Sequence, residues 1–408
     1  MILDIIHKKR LGKELTYQEL DTIFNGYLSG DVPNYQMSAF LMAICINGMS
    51  EEETFALTKI FIDSGEVLDF SDLPGIKVDK HSTGGIGDKT TLVIVPIVAA
   101  CGGTVVKMSG RGLGYTGGTI DKLESIPGYR IDLTDEEIIK QVHDIGLVVT
   151  GQTADLVPMD KAIYALRDVT STVSSIPLIA SSIMSKKIAG GADKILIDIK
   201  VGNGALLNTK EDAKKLGDLM VKIGKFYNRE VRIIISDMNT PLGKTIGNSL
   251  EVLEAIDVLK GKEKDNSFVN LCIDLASNMV SMSLDIPLVD ARSKVLESIK
   301  NKSAYYKFEE MVSAQKGNLS KVKVSSHYAF IKSPKSGIIT RINALELGKL
   351  SQRLGAGKEN IDDKIDYTVG IKLNKLVGEK VKKGENLATI YYKKKVPEYE
   401  IDNIYKIV

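Results

Sequence analysis

The 408-residue chain has no tryptophan, 6% aromatic residues and four histidines. A platform of stacked rings for nucleic-acid bases is therefore not indicated. Its three cysteines, Cys45, Cys101 and Cys272, form no CxxC pair and no Cys/His cluster. Neither a disulfide framework nor a structural zinc site is supported, and the three read as buried reduced thiols. No charge sign dominates: 54 Lys plus Arg face 52 Asp plus Glu, a formal charge of +2. That balance argues against a polyanion-binding surface. No apolar run approaches the ~20 residues of a membrane span. The apolar stretch in the opening MILDIIHKKRLGKEL is too short for a secretory signal. These absences predict a cytoplasmic protein with no nucleic-acid and no membrane partner.

What is present is the composition of a globular protein, 43% hydrophobic and 26% charged, long enough for two or three domains. The first 65 or so residues read as helices. Thr16 with Glu19, and Ser50 with Glu53, have capping-box spacing. Between them, QMSAFLMAICINGM predicts a strongly apolar helix, suited to a core or a subunit interface. From Ile76 the rhythm changes. IKVD, TVVKMS, GLVVTG, KILIDIKV and EVRIIIS are short β-rich runs, separated by stretches such as GDKTTLVIVPIVAACGG. Alternating strands and helices predict a largely parallel sheet with ligand loops at the strands' carboxyl ends. More helix interrupts between about Asp155 and Gly191, including PLIASSIMSKKIAGG, which has Pro177 near its start and a Gly pair at its end. From near Ser333, Gly-punctuated short strands predict a small β-rich domain.

Two loops carry the first chemistry. Lys80-His81-Ser82-Thr83-Gly84-Gly85-Ile86-Gly87-Asp88 follows a strand and opens a helix. Glycines there let backbone N–H groups face an anion, and the helix terminus adds positive potential. Lys80 supplies a full charge; Ser82 and Thr91 supply hydroxyls. Lys107-Met108-Ser109-Gly110-Arg111-Gly112, continuing through Gly118 to Thr119, repeats these ingredients after the next strand. Two such loops at one sheet edge predict an oxyanion pocket.

Two other phosphate motifs fail. Walker A needs a Gly where Asp88 precedes Lys89. At Gly243-Lys244-Thr245 its upstream glycine position holds Met238. The dinucleotide fingerprint GxGxxG matches at Gly112, Gly114 and Gly117, with Asp132 downstream, but the helix that should follow breaks at Pro127-Gly128. That match is a decoy. On the helical insert, Ser182 and Lys186 stand four apart and share one helix face, and Arg167 lies near the preceding helix. Such a set suits the carbonyls and N–H of a planar base, though each residue alone is commonly a surface or ion-paired group.

KHSTGGIGDKTTL, KMSGRGLGYTGGTIDKLESIPG, GQTADLVPMDK, YALRDVTSTVSSIPLIASSIMSKKIAGGAD and SDMNTPLG together resemble the pyrimidine-nucleoside and thymidine phosphorylases. The likeness runs through about residue 260 and resumes in QRLGAGKENIDDKID and GIKL…VKKGE. It implies a small all-α domain (1–66 and 155–192) for dimerisation and base binding. It also implies a large α/β domain (67–154 and 193–330) with a mixed, largely parallel sheet that binds phosphate. A C-terminal β-rich region (331–408) resembles a biotinyl or lipoyl hammerhead but lacks the Met-Lys-Met-type hairpin that carries the cofactor.

The implied reaction is reversible phosphorolysis of uridine, thymidine or deoxyuridine to free base and α-D-(deoxy)ribose 1-phosphate, a step of pyrimidine salvage. The implied enzyme is a homodimeric pentosyltransferase with inorganic phosphate as co-substrate and no organic cofactor. Carried over by motif position, Lys80, His81, Ser82, Thr91, Lys107, Met108, Ser109 and Thr119 would hold phosphate. Arg167, Ser182 and Lys186 would hold the base, with His81, Arg167 and Lys186 catalytic. Relatives with a monovalent-cation site, such as one for K+, would place it at Gly87, Lys89, Leu242, Thr245 and Glu254. Two departures stand out: Tyr115 where GLGHTGG has His, and Lys89 where many bacterial relatives have Thr. The rivals are an anthranilate phosphoribosyltransferase-like enzyme and a nucleoside-binding protein without turnover.

Overall fold

A computed structural model describes the chain except residues 113, 116, 154, 264, 265 and 360–362. Leu113 and Thr116 of the second glycine loop, and Ala154 at the expected domain boundary, thus lie outside the described residues. Four helices open the chain: α1 (Ile2–Arg10), α2 (Tyr17–Ser29), α3 (Asn34–Asn47) and α4 (Glu51–Asp63). Then come β1 (Lys77–Ser82), α5 (Thr90–Ala100), β2 (Thr104–Ser109), α6 (Thr119–Glu124), α7 (Asp135–Ile145) and β3 (Leu147–Gly151). Helices α8 (Pro158–Val169) and α9 (Ile176–Ala189) precede β4 (Lys194–Val201), α10 (Lys210–Phe226) and β5 (Glu230–Asp237). Next are β6 (Thr245–Ile246), α11 (Asn248–Leu259), α12 (Ser267–Leu284), α13 (Leu288–Lys300) and α14 (Ser303–Ala314). The C-terminal part holds β7 (His327–Lys332), β8 (Gly337–Ile342), α15 (Ala344–Ser351), β9 (Gly370–Leu373), β10 (Lys380–Val381), β11 (Asn386–Tyr392), α16 (Ile401–Ile404) and β12 (Tyr405–Ile407).

Contacts divide the chain into two units. The first is Met1–Asp72, Gln152–Ile197 and Thr209–Ile233; it includes α10, which the sequence reading assigned to the α/β part. Both expected capping boxes form, Thr16 with Glu19 and Ser50 with Glu53. Glu53 does more than cap. Its carboxylate also accepts from buried Lys9 Nζ at 2.7 Å and from Leu15 N at 2.9 Å, which ties α1 to α4. Helix α3 is apolar on every side: Met37, Phe40, Leu41 and Ile44 are buried, while Tyr35 and Ile46 are exposed.

The second unit is Leu73–Gly151, Asp198–Asn208 and Ile234–Val408. The main sheet has strand order β3-β2-β1-β4-β5, with β1–β2 and β2–β3 parallel. Strands β2 and β4 are buried nearly throughout, as sheets covered on both faces require. Helix α5, TTLVIVPIVAA, is buried from Thr90 to Ala99, so its apolar sequence reflects complete enclosure rather than one packed face. Two antiparallel sheets, β6-β9-β11-β7 and β10-β8-β12, form the C-terminal part. The first takes β6 from far upstream, pairing Thr245 with Lys372. The C-terminal core likewise reaches upstream, since Ile86, in the first glycine loop, and Ile246 pack among Ile331, Leu347, Leu350 and Ile371. Gly348 permits this: a Cβ there would lie 2.3 Å from the Ile86 side chain. Among the described residues no single helix is long and apolar enough to cross a membrane.

Candidate active site

The first glycine loop leaves the carboxyl end of β1 and enters α5. Lys80 is fully buried; its ammonium donates to Thr90 Oγ1 at 2.6 Å and lies 3.6 Å from Asp198 Oδ2. Ser82 Oγ donates to Asp88 Oδ2, and Gly84 N donates back to Ser82 Oγ at 3.2 Å. Asp88 Oδ1 accepts from Thr90 N at 3.1 Å and Thr90 Oγ1 at 2.6 Å, closing the loop onto the first turn of α5, where Thr91 is buried. His81 is half-buried at the end of β1.

On β4, Lys200 pairs with Asp198 and donates to Ser236 Oγ at 3.0 Å, and Ser236 donates to Asp198 Oδ1 at 2.6 Å. On β2, the Lys107 ammonium lies 3.4 Å from Asp79 Oδ1. Buried Asp79 and Asp198, with Asp88, thus meet Lys80, Lys107 and Lys200 in a charge-matched cluster. Burial alone would raise the Asp88 carboxyl, but Lys80, Lys200 and the Ser82 and Thr90 hydrogen bonds outweigh it and hold it well below the usual carboxylate range. Burial would lower Lys200, yet Asp88 and Asp198 raise it.

The second loop is held by Asp121, whose Oδ2 accepts from Gly112 N at 2.6 Å and Gly118 N at 3.0 Å. Lys122 Nζ donates to Gly117 O at 2.6 Å and pairs with Glu251 at 3.4 Å. Gly118 is required by contact alone: a Cβ there would lie 2.1 Å from Gly112 N. Met108 and Ser109 are buried at the end of β2, and Thr119 begins α6. Helix α6 stops after six residues, which disposes of the dinucleotide fingerprint. Tyr115 is 39% exposed, and its ring edge would lie 3.4 Å from a Cβ on Gly348.

In the helical unit, Pro158 opens α8 and Pro177 opens α9. Ser182 and Lys186 project from one face of α9 onto Asp160 of α8. Asp160 Oδ2 accepts from Ser182 Oγ at 3.0 Å and from Lys186 Nζ, and Lys186 also donates to Ser182 Oγ at 3.2 Å. Arg167 is 1% exposed. Its guanidinium donates to the carbonyls of Thr172, Val173 and Leu178 at 3.2, 2.8 and 3.3 Å, clamping the turn between α8 and α9. Among the described residues, three of its five N–H donors are thereby used and two remain. Burial lowers its affinity for its proton, partly offset by Asp160 and Tyr164. The Tyr164 ring serves both cations, 5.6 Å from Arg167 Cζ and 6.0 Å from Lys186 Nζ.

The five positions associated with a monovalent cation do converge, but around a lysine. Lys89 Nζ donates to Leu242 O at 2.6 Å and pairs with Glu254 Oε2 at 3.0 Å. An ammonium is a donor with no lone pair, so the Lys89 side chain cannot ligate a cation. These residues do not fit a bound metal ion while the Lys89 ammonium stands among them.

Sequence reasoning missed Asp79, Asp88, Asp198, Lys200, Asp160 and Tyr164. Asp198 and Lys200 carried the most readable trace, two charges at alternate positions in the otherwise apolar run ILIDIKV of β4. In the sequence Asp88 stands out only as the last residue of the first glycine loop and the one that breaks Walker A.

This chain, with glycine-rich loops on a parallel sheet and a separate helical unit, is a glycosyl transferase by its family matches. Residues 75–305 match the glycosyl transferase family, a/b domain, and residues 3–65 match that family's helical bundle domain. Residues 338–408 match the pyrimidine nucleoside phosphorylase C-terminal domain. Named pyrimidine-nucleoside phosphorylases resemble the chain along nearly all its length. That of Staphylococcus haemolyticus is 50% identical, covering 96% of this chain and 92% of the relative. That of Bacillus subtilis is 48% identical, covering 99% and 95%. The chain belongs to the pyrimidine-nucleoside phosphorylase family. A solved anthranilate phosphoribosyltransferase from Thermus thermophilus superposes with a TM-score of 0.59 at 16% identity, covering 76% of this chain and 99% of that one. This is a likeness of fold, and the full-length relatives favour the phosphorylase over that rival.

Proposed function

We propose that the chain catalyses the reversible phosphorolysis of uridine, thymidine and deoxyuridine to free base and α-D-(deoxy)ribose 1-phosphate. The reading rests above all on identity near 50% to named pyrimidine-nucleoside phosphorylases over nearly the whole chain. Phosphate, the co-substrate, would be held by Lys80, His81, Ser82, Thr91, Lys107, Met108, Ser109 and Thr119. The cluster around Lys80 supports this, because a phosphate can take over lysine and hydroxyl donors now satisfied by Asp88 and Asp198. The base would be held by Ser182, Lys186 and the two remaining N–H groups of Arg167.

No protein nucleophile is needed. A phosphate oxygen attacks the anomeric carbon while the bond to the base nitrogen breaks, its electron pair leaving with the base. The protein positions the phosphate and stabilises negative charge growing on the pyrimidine. Lys186 and Arg167 suit that charge, and His81 would orient or protonate a base carbonyl. No organic cofactor is required by this chemistry.

The proposed organisation keeps 331–408 as a domain of its own, supported by the C-terminal match at 338–408. The proposed assembly is a cytoplasmic homodimer through the helical unit. Exposed Tyr35, Met42 and Ile46 lie seven and four residues apart on α3, an apolar stripe suited to a second copy. The deciding experiment is product analysis with uridine, thymidine and deoxyuridine, with and without phosphate. Phosphate-dependent appearance of free base and pentose 1-phosphate is expected; release of base without phosphate, or none at all, would reject the reading.

A further inference from the structure

The turn Gly243-Lys244-Thr245, which narrowly misses the Walker A pattern, binds a carboxylate. Glu254 of α11 accepts from Lys244 N at 2.7 Å and from Thr245 N at 2.9 Å, with the Thr245 hydroxyl as a third donor. That leaves a buried anion, and its partner cation is Lys89, itself fully buried at the start of α5. The Phe268 ring lies 4.7 Å from the Lys89 ammonium, so carbonyl, carboxylate and aromatic face surround one charge. Glycines close the remaining space. A Cβ on Gly243 would lie 2.5 Å from Glu254 Oε1 and 2.9 Å from Lys89 Nζ, and one on Gly87 would lie 2.8 Å from Leu242 O.

We propose that the Lys89 ammonium is a built-in replacement for a monovalent cation, so that this chain works without potassium, and that Lys89 is a positioning residue for the first phosphate loop. A lysine ammonium is a compact point charge on a flexible stem, able to occupy a small cation's place. Lys89 directly follows Asp88, whose carboxylate closes the loop on Ser82 and Thr90. Anchoring Lys89 to Leu242 and Glu254 therefore fixes the C-terminal end of the phosphate loop against the 242–245 turn. A bound ion in that place can leave, whereas a lysine cannot. Burial would raise the Glu254 carboxyl, but Lys89, Thr245 and the Lys244 amide together lower it, in keeping with an ionised carboxylate at this turn.

The inference rests on the phosphorolysis reading for its kinetic arm, and the thermal arm stands apart from that reading. Wild type and the Lys89→Thr variant are compared in KCl and in tetramethylammonium chloride at equal ionic strength. Wild type is expected to show the same Tm in both salts and, once turnover is established in KCl, rates equal within twofold. Lys89→Thr in tetramethylammonium is expected to lose roughly 5 °C of Tm or more. Its KM for phosphate should rise at least tenfold, with a smaller change in KM for nucleoside. Potassium or ammonium ions should restore both quantities in a saturable way, while a purely structural lysine would leave the variant insensitive to them. Wild type whose Tm and rate both rise in potassium over tetramethylammonium would overturn the proposal even if the variant fails to fold. So would a Lys89→Thr variant that folds and ignores both cations. Absence of turnover under every condition would instead reject the reaction, leaving the melting comparison to decide the cation question.

Discussion

Asp160, on the first turn of α8, holds Lys186 of α9 by a direct ion pair in which the Asp160 side chain is wholly buried and the Lys186 side chain is 22% exposed. The lysine is thus fixed at its charged end while part of its side chain stays exposed. Asp160→Asn would keep the shape and remove the charge. A hydrogen bond to a charged group contributes about 1.5–3 kcal/mol. The expected result is a fall of at least roughly tenfold in kcat/KM for nucleoside, with KM for phosphate little changed. Equal losses for both substrates would mean that Asp160 serves the fold and not the lysine.

Lys186→Ala removes the donor itself. We expect a loss of about 3 kcal/mol of transition-state stabilisation, the scale for a single aimed donor. It is to be read as kcat/KM for uridine on protein shown to be folded, since Asp160 loses its cation and some thermal stability goes with it. A near-normal value would take Lys186 out of the base site.

Lys80→Ala should act on the other substrate. With Lys107 beside Asp79 and Lys200 beside Asp198, the cluster keeps two of its three cations, and the main loss is the charge proposed to meet phosphate. KM for phosphate is expected to rise about tenfold or more, consistent with one charged hydrogen bond, while KM for nucleoside moves far less. The reverse pattern would exchange the assignments of the two loci.

Acid should disorder the first loop through Asp88. Its carboxyl is held well below the ordinary value by Lys80 and Lys200 against burial, so its contribution to stability is complete above about pH 4. That contribution disappears as pH falls through the lower folded-state value. Lys200 is shifted the other way, so its contribution is lost only at strongly alkaline pH. The Tm gap between wild type and Asp88→Asn should be constant from about pH 5 to 9 and narrow on further acidification. A gap that narrows between pH 6 and 8 would assign the effect to some other group.

Gly118→Ala tests the second loop by size alone. The added methyl would sit against the Gly112 amide, and backbone rather than a flexible side chain must give way. Weaker phosphate binding with retained helical content by circular dichroism is expected; unchanged phosphate kinetics would show that the loop tolerates rearrangement.

The elements were readable where the physics is local. Capping boxes at Thr16 and Ser50, the Pro at the start of α9 and the strand-helix alternation from Ile76 all depend on neighbours within a few residues, and all stand in the fold. The truncated α6 was likewise visible, because Pro127 and Gly128 stop it in plain sequence. What sequence could not disclose were partners brought together across the chain. Asp160 meets Lys186 from 26 positions away, and Lys89 meets the Leu242 carbonyl from 153 away. The residues were in view as types, but burial and pairing decide whether a Lys faces a ligand or completes an internal ion pair. The upstream strand β6 escaped for the same reason: two residues carry no periodicity, and only β9 gives them an edge to join.

Ile86 gives the C-terminal region a meaning beyond its own stability. The glycine loop proposed to face phosphate is rooted by that side chain in a hydrophobic cluster made mostly of residues beyond 330. Shortening the chain at its end would therefore not trim an appendage; it would unseat the loop's foothold. A lesion near residue 371 or 387 and one at Lys80, some 300 positions apart, would produce the same deficiency, a protein that has lost its grip on phosphate.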